Sequence, residues 1–482
     1  MRRLLIPLAA LGLVACGTTA RLAPGSGAPA ADGLAAPTAT VGSTAATAGP
    51  APVPDGPASA PQGQPTGISQ PGAESTSAPD QTPSPALAAT DHRPVEVGVI
   101  VEGSDSGLAG SFGFNGLNNG DEKATATALI ADVNRHGGLA GHPITPVFYV
   151  VSASDSRSFS EIEQAACADF VQDHHVVAVI AGHFVASDNT LLACAKTVPI
   201  INSEVVYTGD AATFAAYPKY VAPAGLELER QARAYVRGMA AQGFFHAGIA
   251  TGLVAVDVPS YRRVVSQVVI PELARVGVQL KDTAFFPETT STSATSQSAA
   301  GIANAELRFA GDRIGQVLFL TDAGLAALEF MTTANTQHYT PRMALSTTDA
   351  PQAQEANAPA TQLANVTGIG WAPLVDVDVG QEGASTPPRQ AECLKLLTAA
   401  GQNESAQNTA FVAAGFCDEV WYLQMSATAA PRPVGSFPSV IVPSAYVDAS
   451  RRDGVGAYRP FAFQASCHCF RYTGGPSPIP NS

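Results

Sequence analysis

Apolar runs of strand length alternate with stripes at helical spacing along most of this chain, and the clearest unit spans residues 95–151. VEVGVIVEG is an apolar run, followed by the Gly/Ser-rich loop SDSGLAGSFGFNGLNNG. In DEKATATALIADVNRHGG, Ala126, Leu129, Ile130 and Val133 fall at i, i+3, i+4 and i+7, the stripe of an amphipathic helix. Gly137 and Gly138 stop that helix, because glycine takes the left-handed position after a helix without a Cβ penalty. A second apolar run, ITPVFYVV, follows. A crossover helix between two buried strands implies a parallel sheet with helices on its faces. Ligands on such sheets bind at the carboxyl ends of the strands, where this long first loop sits.

The unit recurs down the chain. Ser160-Glu161-Ile162-Glu163 has capping-box spacing, serine at the N-cap and glutamate three residues on, and predicts a helix to about residue 173. VVAVIAG, the loop HFVASDN, the helix TLLACAKT and the strand VPIIN follow. A crossing segment near YPKYVAPAG leads to a helix over 226–242 and a strand, FHAGIAT. A helix over 261–277 is interrupted by Pro271, which lacks the amide donor and kinks it. VGVQLKDTAFF, a helix to 309, QVLFLTD, a helix to 337 and RMALST complete a second set. ECLKLLTAAG and TAFVAAGFCDEVWYLQMSA read as two further helices, before short strand-like pieces. Such alternation on both sides of a crossing predicts two α/β lobes, and the roughly 390 residues involved exceed one typical core.

The N-terminal segment has none of this periodicity. Met1-Arg2-Arg3 is a basic n-region, and LLIPLAALGLV is an apolar stretch too short to span a bilayer. Leu13-Val14-Ala15-Cys16 resembles a bacterial lipobox, which makes 1–15 a signal peptide and Cys16 a lipidated N-terminus. The rest of 16–91 is Ala, Pro, Gly, Ser and Thr with few charges, too little apolar surface to offset chain entropy. It reads as a disordered spacer that holds a folded domain away from the membrane. No other stretch of the sequence is long and apolar enough to span a bilayer, so the membrane is reached through the lipid alone.

Charge and cysteines narrow the class. A formal net charge of -14 argues against a nucleic-acid partner, whose phosphates demand a basic face. Apart from Cys16 there are six cysteines, Cys167, Cys194, Cys393, Cys417, Cys467 and Cys469, an even number that suits an oxidising compartment. Six allow about 15 pairings. The simplest pairs sequence neighbours, so that Cys167–Cys194 and Cys393–Cys417 each staple two predicted helices and Cys467 joins Cys469. Cys467-His468-Cys469 lacks the fourth ligand of a zinc site, and no metal or cofactor is expected. No G-x-S-x-G, H-E-x-x-H, G-x-x-x-x-G-K-[ST] or G-x-G-x-x-G follows a strand, and the nine histidines are scattered. On these motifs the chain does not read as an enzyme.

VEVGVIVEG, the loop with SGLAGSFG, the helix ending NRHGGLAGHPI, the strand-loop VVAVIAGHF and the later TGIGWAP together resemble a known family. It is the extracellular solute-binding proteins of the type I fold, the branched-chain amino-acid-binding kind that serves ABC importers. The resemblance covers about residues 94–475. It implies an α/β, two-lobed type I periplasmic-binding-protein fold, each lobe a parallel sheet flanked by helices, with three crossover segments near 218–225, 366–374 and 458–470. Lobe 1 is then 92–218 plus 375–457, and lobe 2 is 225–365 plus the C-terminal segment.

In that family the loops after the strands hold a small ligand in the cleft between the lobes. Carried onto this sequence, the ligand residues are Ser111 and Phe112 after the first strand, His183, Phe184 and Ser187 after VVAVIAG, and Ser203 and Glu204 after VPIIN. Tyr261, Asp322 and Asp349 come from lobe 2. Ser187 and Asp188 precede a helix and read equally as its caps; Tyr261 and Phe184 read as cleft walls or as core. Three departures bear on the ligand. Glu204-Val205-Val206 stands where amino-acid-binding members have small or hydroxyl residues, and Val185 where they have a cysteine. Asp349 alone lies near the place of the glutamate that holds a ligand ammonium; it reads as the partner of a cation or as a turn residue before Ala350-Pro351. The resemblance implies capture of a small polar ligand (amino-acid-like, amide, amine or small acid) for an ABC permease. The long spacer and the altered motif also fit a ligand sensor or surface-interaction protein that keeps the fold without transport.

Overall fold

The computed structural model describes residues 92–480, apart from 104–113, 115–118, 183–187, 206–208, 323, 379, 381–386, 404–406, 429–436, 438, 444–445 and 449. Two sheets organise them. β1 (Val95–Glu102), β2 (Ile144–Val151), β3 (Ala178–Ile180), β4 (Ile200–Ile201) and β5 (Tyr220–Val221) make the first, in the order β2-β1-β3-β4-β5. All its neighbours are parallel. Side chains alternate across β1 as strand geometry requires. Val97, Val99 and Val101 meet the stripe Ala126, Leu129, Ile130 and Val133 of the Glu122–Arg135 helix in one core, while Ile100 joins a second core with Phe170 and Val179. Gly98 makes room for that second core: a Cβ there would lie 2.7 Å from the Phe170 ring.

The second sheet holds β6 (Ala250–Val256), β7 (Leu280–Phe286), β8 (Ile314–Leu320), β9 (Arg342–Ser346) and β10 (Val366–Gly370), all parallel. β11 (Ala457–Gln464) adds antiparallel to β10 and carries β12 (Cys469–Tyr472) and β13 (Ser477–Pro478). The order is β12-β11-β10-β9-β8-β6-β7, with β13 on β11.

Three passages join the sheets. The chain leaves the first after β5 and enters the Leu228–Ala241 helix, which packs on β10. It returns after β10 to the Pro388–Ala399 and Gln407–Ala427 helices, both packed on the Glu122–Arg135 helix. It crosses again before β11. The first and third passages run side by side: the Ala222 amide donates to the Arg452 carbonyl at 2.8 Å and the Val455 amide to the Gly225 carbonyl at 3.3 Å. Gly454 is required there, since its φ is 57° and a Cβ would fall 1.9 Å from the Pro223 carbonyl oxygen.

Four expectations are corrected. The third crossing lies before residue 457 and not over 458–470, which instead forms β11 and β12. The capping box is Ser158 with Glu161, two residues earlier than the Ser160–Glu163 pair; the sequence offers both spacings, and the buried Glu163 is occupied by the Leu191 amide at 2.8 Å. β6 begins at Ala250, later than FHAGIAT, because Gly248 turns the chain at φ 79° and the fully buried Leu253–Val256 stretch is what pairs on both sides. Pro271 does not simply kink a helix: a π segment, Val265–Val269, precedes the Ile270–Arg275 helix and shifts the hydrogen bonding ahead of the missing amide. All three neighbour disulfides are present, Cys167–Cys194, Cys393–Cys417 and Cys467–Cys469.

Candidate functional site

Parallel strands deliver their following loops to one end of each sheet, so the candidate site is built from residues just past β1, β3 and β4 on one side and β8, β9 and β10 on the other. On the first sheet, Ser203 is buried, its amide donating to Glu419 Oε1 at 2.9 Å, and it packs so close to the Gln407–Ala427 helix that only Gly415 fits opposite its Oγ. Gly182, Ser203, Phe411, Val412, Gly415, Phe416 and Ile441 surround a recess of about 210 Å³. Most of that space is open to solvent, and the enclosed part holds little more than one water molecule, so in this conformation the recess is a shallow dimple and no ligand pocket. Glu204 does not stand clear of the backbone. Its carboxylate takes the Val205 amide at 2.6 Å, while its own amide donates to Asn202 Oδ1 at 2.7 Å.

In the loop after β1, the described Phe114 reaches the other side. Phe114 is buried with Leu328 and Ala353, which belong to the Leu325–Thr336 and Pro351–Asn357 helices that follow β8 and β9. Ser111 and Phe112 of that loop, and His183, Phe184, Val185 and Ser187 of the next, lie outside the described residues, as do Cys16 and the spacer. Asp188 is described: it accepts the Thr190 amide at 3.0 Å and hydroxyl at 2.7 Å, and also binds the Ser160 hydroxyl. Its charge and the five-residue length of the Thr190–Cys194 helix leave little pull there for a ligand carboxylate.

The second sheet's edge is a buried polar cluster. Asp349, fully buried, accepts the Thr321 hydroxyl at 2.5 Å and the Ser346 amide at 2.7 Å, closing a capping box over Ser346–Asp349. Its carbonyl takes Gln354 Nε2 at 2.9 Å. Thr347 Oγ1 donates to Asp376 Oδ1 at 2.7 Å and accepts the Trp371 amide at 2.9 Å. Tyr472 donates to Asp376 Oδ2, also at 2.7 Å. Gln231 reaches in from the Leu228–Ala241 helix to donate to Thr348 Oγ1 at 3.0 Å. Asp322 sits half-buried beside this cluster, close enough that the Asp349 charge raises its pKa. Tyr261 is buried in the core beneath, 3.4 Å from the Thr321 carbonyl.

Of the sequence candidates, the structure therefore gathers Asp322, Asp349 and Tyr261 at one edge and Ser203 with Glu204 at the other. Asp376, Thr321 and Gln354 had not been singled out. The S-T-T-D spacing at 346–349 is itself a capping signal, but Asp376 joins the cluster from a passage nearly thirty residues on, which no local pattern reveals.

Burial dominates the protonation of this edge. It pushes the Asp349, Asp376 and Asp322 carboxyls up to about 7, with Glu288 and Asp349 adding to the rise at Asp322, and Glu355 up to about 8. An acid whose folded pKa is raised holds a proton that the unfolded chain has released, so its stabilisation is full below about pH 4 and is lost as pH rises to the folded value. Carboxyls with depressed pKa, such as Glu272 held down by the Arg237 guanidinium, act in the opposite direction and mainly below this window. Calorimetry at matched ionic strength is expected to show a higher Tm at pH 5 than at pH 8, by on the order of 1–2 kcal/mol of stability for each buried acid that titrates independently. A flat or rising profile would mean these carboxylates are ionised and compensated in the fold.

No family model matches the chain, and no curated protein matches it in sequence. Solved structures do match. One is described as a possible leucine/isoleucine/valine-binding protein from Rhodopirellula baltica SH 1; it superposes with a TM-score of 0.54 at 11% identity, over 81% of this chain and 98% of its own. The solute-binding protein of an ABC transporter from Rhodopseudomonas palustris BisB5, in complex with 3,4-dihydroxybenzoic acid, gives 0.53 at 12% identity, over 81% and 98%. Another solute-binding protein of an ABC transporter, from R. palustris in complex with 4-hydroxybenzoate, gives 0.54 at 14%, over 80% and 98%. At these identities what is shared is the fold: the chain has the two-lobed α/β architecture of the type I periplasmic solute-binding proteins, parallel sheets flanked by helices.

Proposed function

We propose that the protein is an extracytoplasmic solute-binding protein, lipid-anchored at Cys16, that captures a small polar molecule between its two sheets and presents it to an ABC permease. What supports the reading is the fold together with two unlike features at its carboxyl strand ends: a small recess beside Ser203 and a buried polar edge at Thr321, Asp322 and Ser346–Asp349. Each alone is too small to hold a ligand; closure of one lobe on the other joins them, so ligand shifts an open–closed equilibrium. Ser111, Phe112, His183, Phe184 and Ser187 would complete the wall on the first side, and Tyr261 would back the second. The role is binding and release, with no chemical step. Two of the solved neighbours carry hydroxybenzoates, so aromatic acids belong beside amino acids, amides and amines among the ligands to test. Because a retained ligand would mask binding, the protein is purified unfolded, refolded and screened by thermal shift; one compound class should raise the Tm by several degrees. No shift across the whole panel would remove the proposal.

The anchor has its own test. Among the described residues no helix is long and apolar enough to cross a membrane. Cys16→Ala is therefore expected to release the protein from membranes or to leave it unprocessed. Retention of the variant on membranes after a high-salt wash would show that something other than the lipid holds it.

A further inference from the structure

The hairpin joining β11 to β12 closes on the Cys467–Cys469 disulfide, which the solute-binding role does not use. Three observations set this bond apart. The other two join cysteines 27 and 24 residues apart, so each restrains a long loop of the unfolded chain, whereas Cys467–Cys469 spans a separation of 2 and draws little stability from that source. Within the small ring His468 sits at φ 52°, a left-handed conformation unfavourable for a residue with a Cβ. Access separates it from Cys393–Cys417, since Cys467 is half-exposed between exposed neighbours while Cys393 and Cys417 are fully buried; Cys194 is half-exposed as well, so loop size and the His468 backbone are what distinguish it from Cys167–Cys194. Exposed disulfides in unfavourable rings are the reactive ones.

The hairpin is also wired to the rest of the lobe. Glu355, on the Pro351–Asn357 helix, accepts the Phe470 amide at Oε1, and its backbone carbonyl lies 3.0 Å from His468 Nε2. The His468 ring packs edge-on to Phe463 at 5.2 Å. That helix starts directly after Asp349, and its Gln354 bonds the Asp349 carbonyl. One acidic side chain thus links the disulfide turn to the polar edge of the second sheet.

We propose that Cys467-His468-Cys469 is a redox-reactive site that exchanges with an external dithiol while the other two disulfides stay closed, and that its state is passed through Glu355 to the Pro351–Asn357 helix. A thiolate of the dithiol attacks the half-exposed Cys467 Sγ. The S–S bond breaks, its electron pair leaves on Cys469 Sγ, and that sulfur takes a proton from water. The second thiol of the same dithiol then attacks the mixed disulfide and releases Cys467, which is protonated in turn. Two electrons and two protons enter the protein, and the dithiol departs as its cyclic disulfide. Nothing in this step depends on what the cleft binds.

The test equilibrates the folded full chain in graded mixtures of reduced and oxidised dithiothreitol, alkylates free thiols and maps the peptides. Cys467–Cys469 is expected to be half-reduced at a reductant ratio at least about tenfold below that needed by either other bond, a difference of roughly 30 mV. With only that bond open, amide exchange should accelerate at Phe470 and across the Pro351–Asn357 helix and stay unchanged in β1. The Cys467→Ser/Cys469→Ser variant should show the same acceleration without reductant. Opening of all three bonds together, or of Cys467–Cys469 last, would overturn the reactive site; unchanged exchange in the helix in both preparations would overturn the link through Glu355.

Discussion

Asp453→Ala is expected to lower the unfolding free energy by about 3–5 kcal/mol, the range found when one partner of a buried ion pair is removed. Asp453 is 1% exposed and sits where the first and third passages between the sheets touch. Its Oδ2 accepts the Arg230 Nη1 proton at 2.5 Å and the Glu227 amide at 3.0 Å, and its Oδ1 accepts Arg451 Nε at 2.9 Å. Arg451 also reaches Glu227 at 2.7 Å, and Arg230 reaches Asp448 at 3.2 Å. Burial raises the Glu227 pKa against the pull of Arg451, a sign that the cluster is poorly hydrated. Removing Asp453 strips a fully buried guanidinium of its nearest carboxylate, and a short alanine returns neither charge nor hydrogen bonds. Urea unfolding measures the loss; a change below about 1 kcal/mol would place the network in the class of solvent-compensated surface pairs.

Replacing both Cys393 and Cys417 by alanine should cost about 3 kcal/mol, the chain-entropy value for a loop of this size. Their separation is 24 residues, and the bond ties the Pro388–Ala399 helix to the Gln407–Ala427 helix, with both cysteines fully buried. The two helices pack together on the first sheet's side of the molecule, so the loss should appear in thermal unfolding and leave the passages between the sheets intact. A variant as stable as the parent would show that helix packing alone fixes this region.

The strand–helix rhythm was readable because each parallel strand here is a short apolar run and each crossover helix carries its own stripe; β1, β2 and the Glu122–Arg135 helix fall where the periodicity puts them. Boundaries failed where two local signals competed, as at Ser158 and Ser160, each three residues before a glutamate. The β11–β12 hairpin was misread as a crossing because antiparallel addition to β10 depends on a partner some ninety residues away. The half-site at the second sheet was legible only in part. Asp349 was marked by its place in the resemblance and by the turn before Ala350-Pro351, but whether its carboxylate faces inward to Thr321 or outward to a cation is decided by tertiary packing. Asp376, Tyr472 and Gln231 arrive at that edge from three separate elements, and the buried ion cluster of Arg230, Asp448 and Asp453 likewise spans more than two hundred residues of sequence. Spacing within a segment carries no information about such meetings.

Small-angle scattering of the refolded protein shows whether its two lobes close on one small molecule. With a saturating concentration of the compound that gives the largest thermal shift, the radius of gyration should fall relative to the ligand-free protein, as hinge closure of one lobe on another requires. A compound that binds tightly while the scattering profile stays unchanged would contradict closure of the lobes around their ligand.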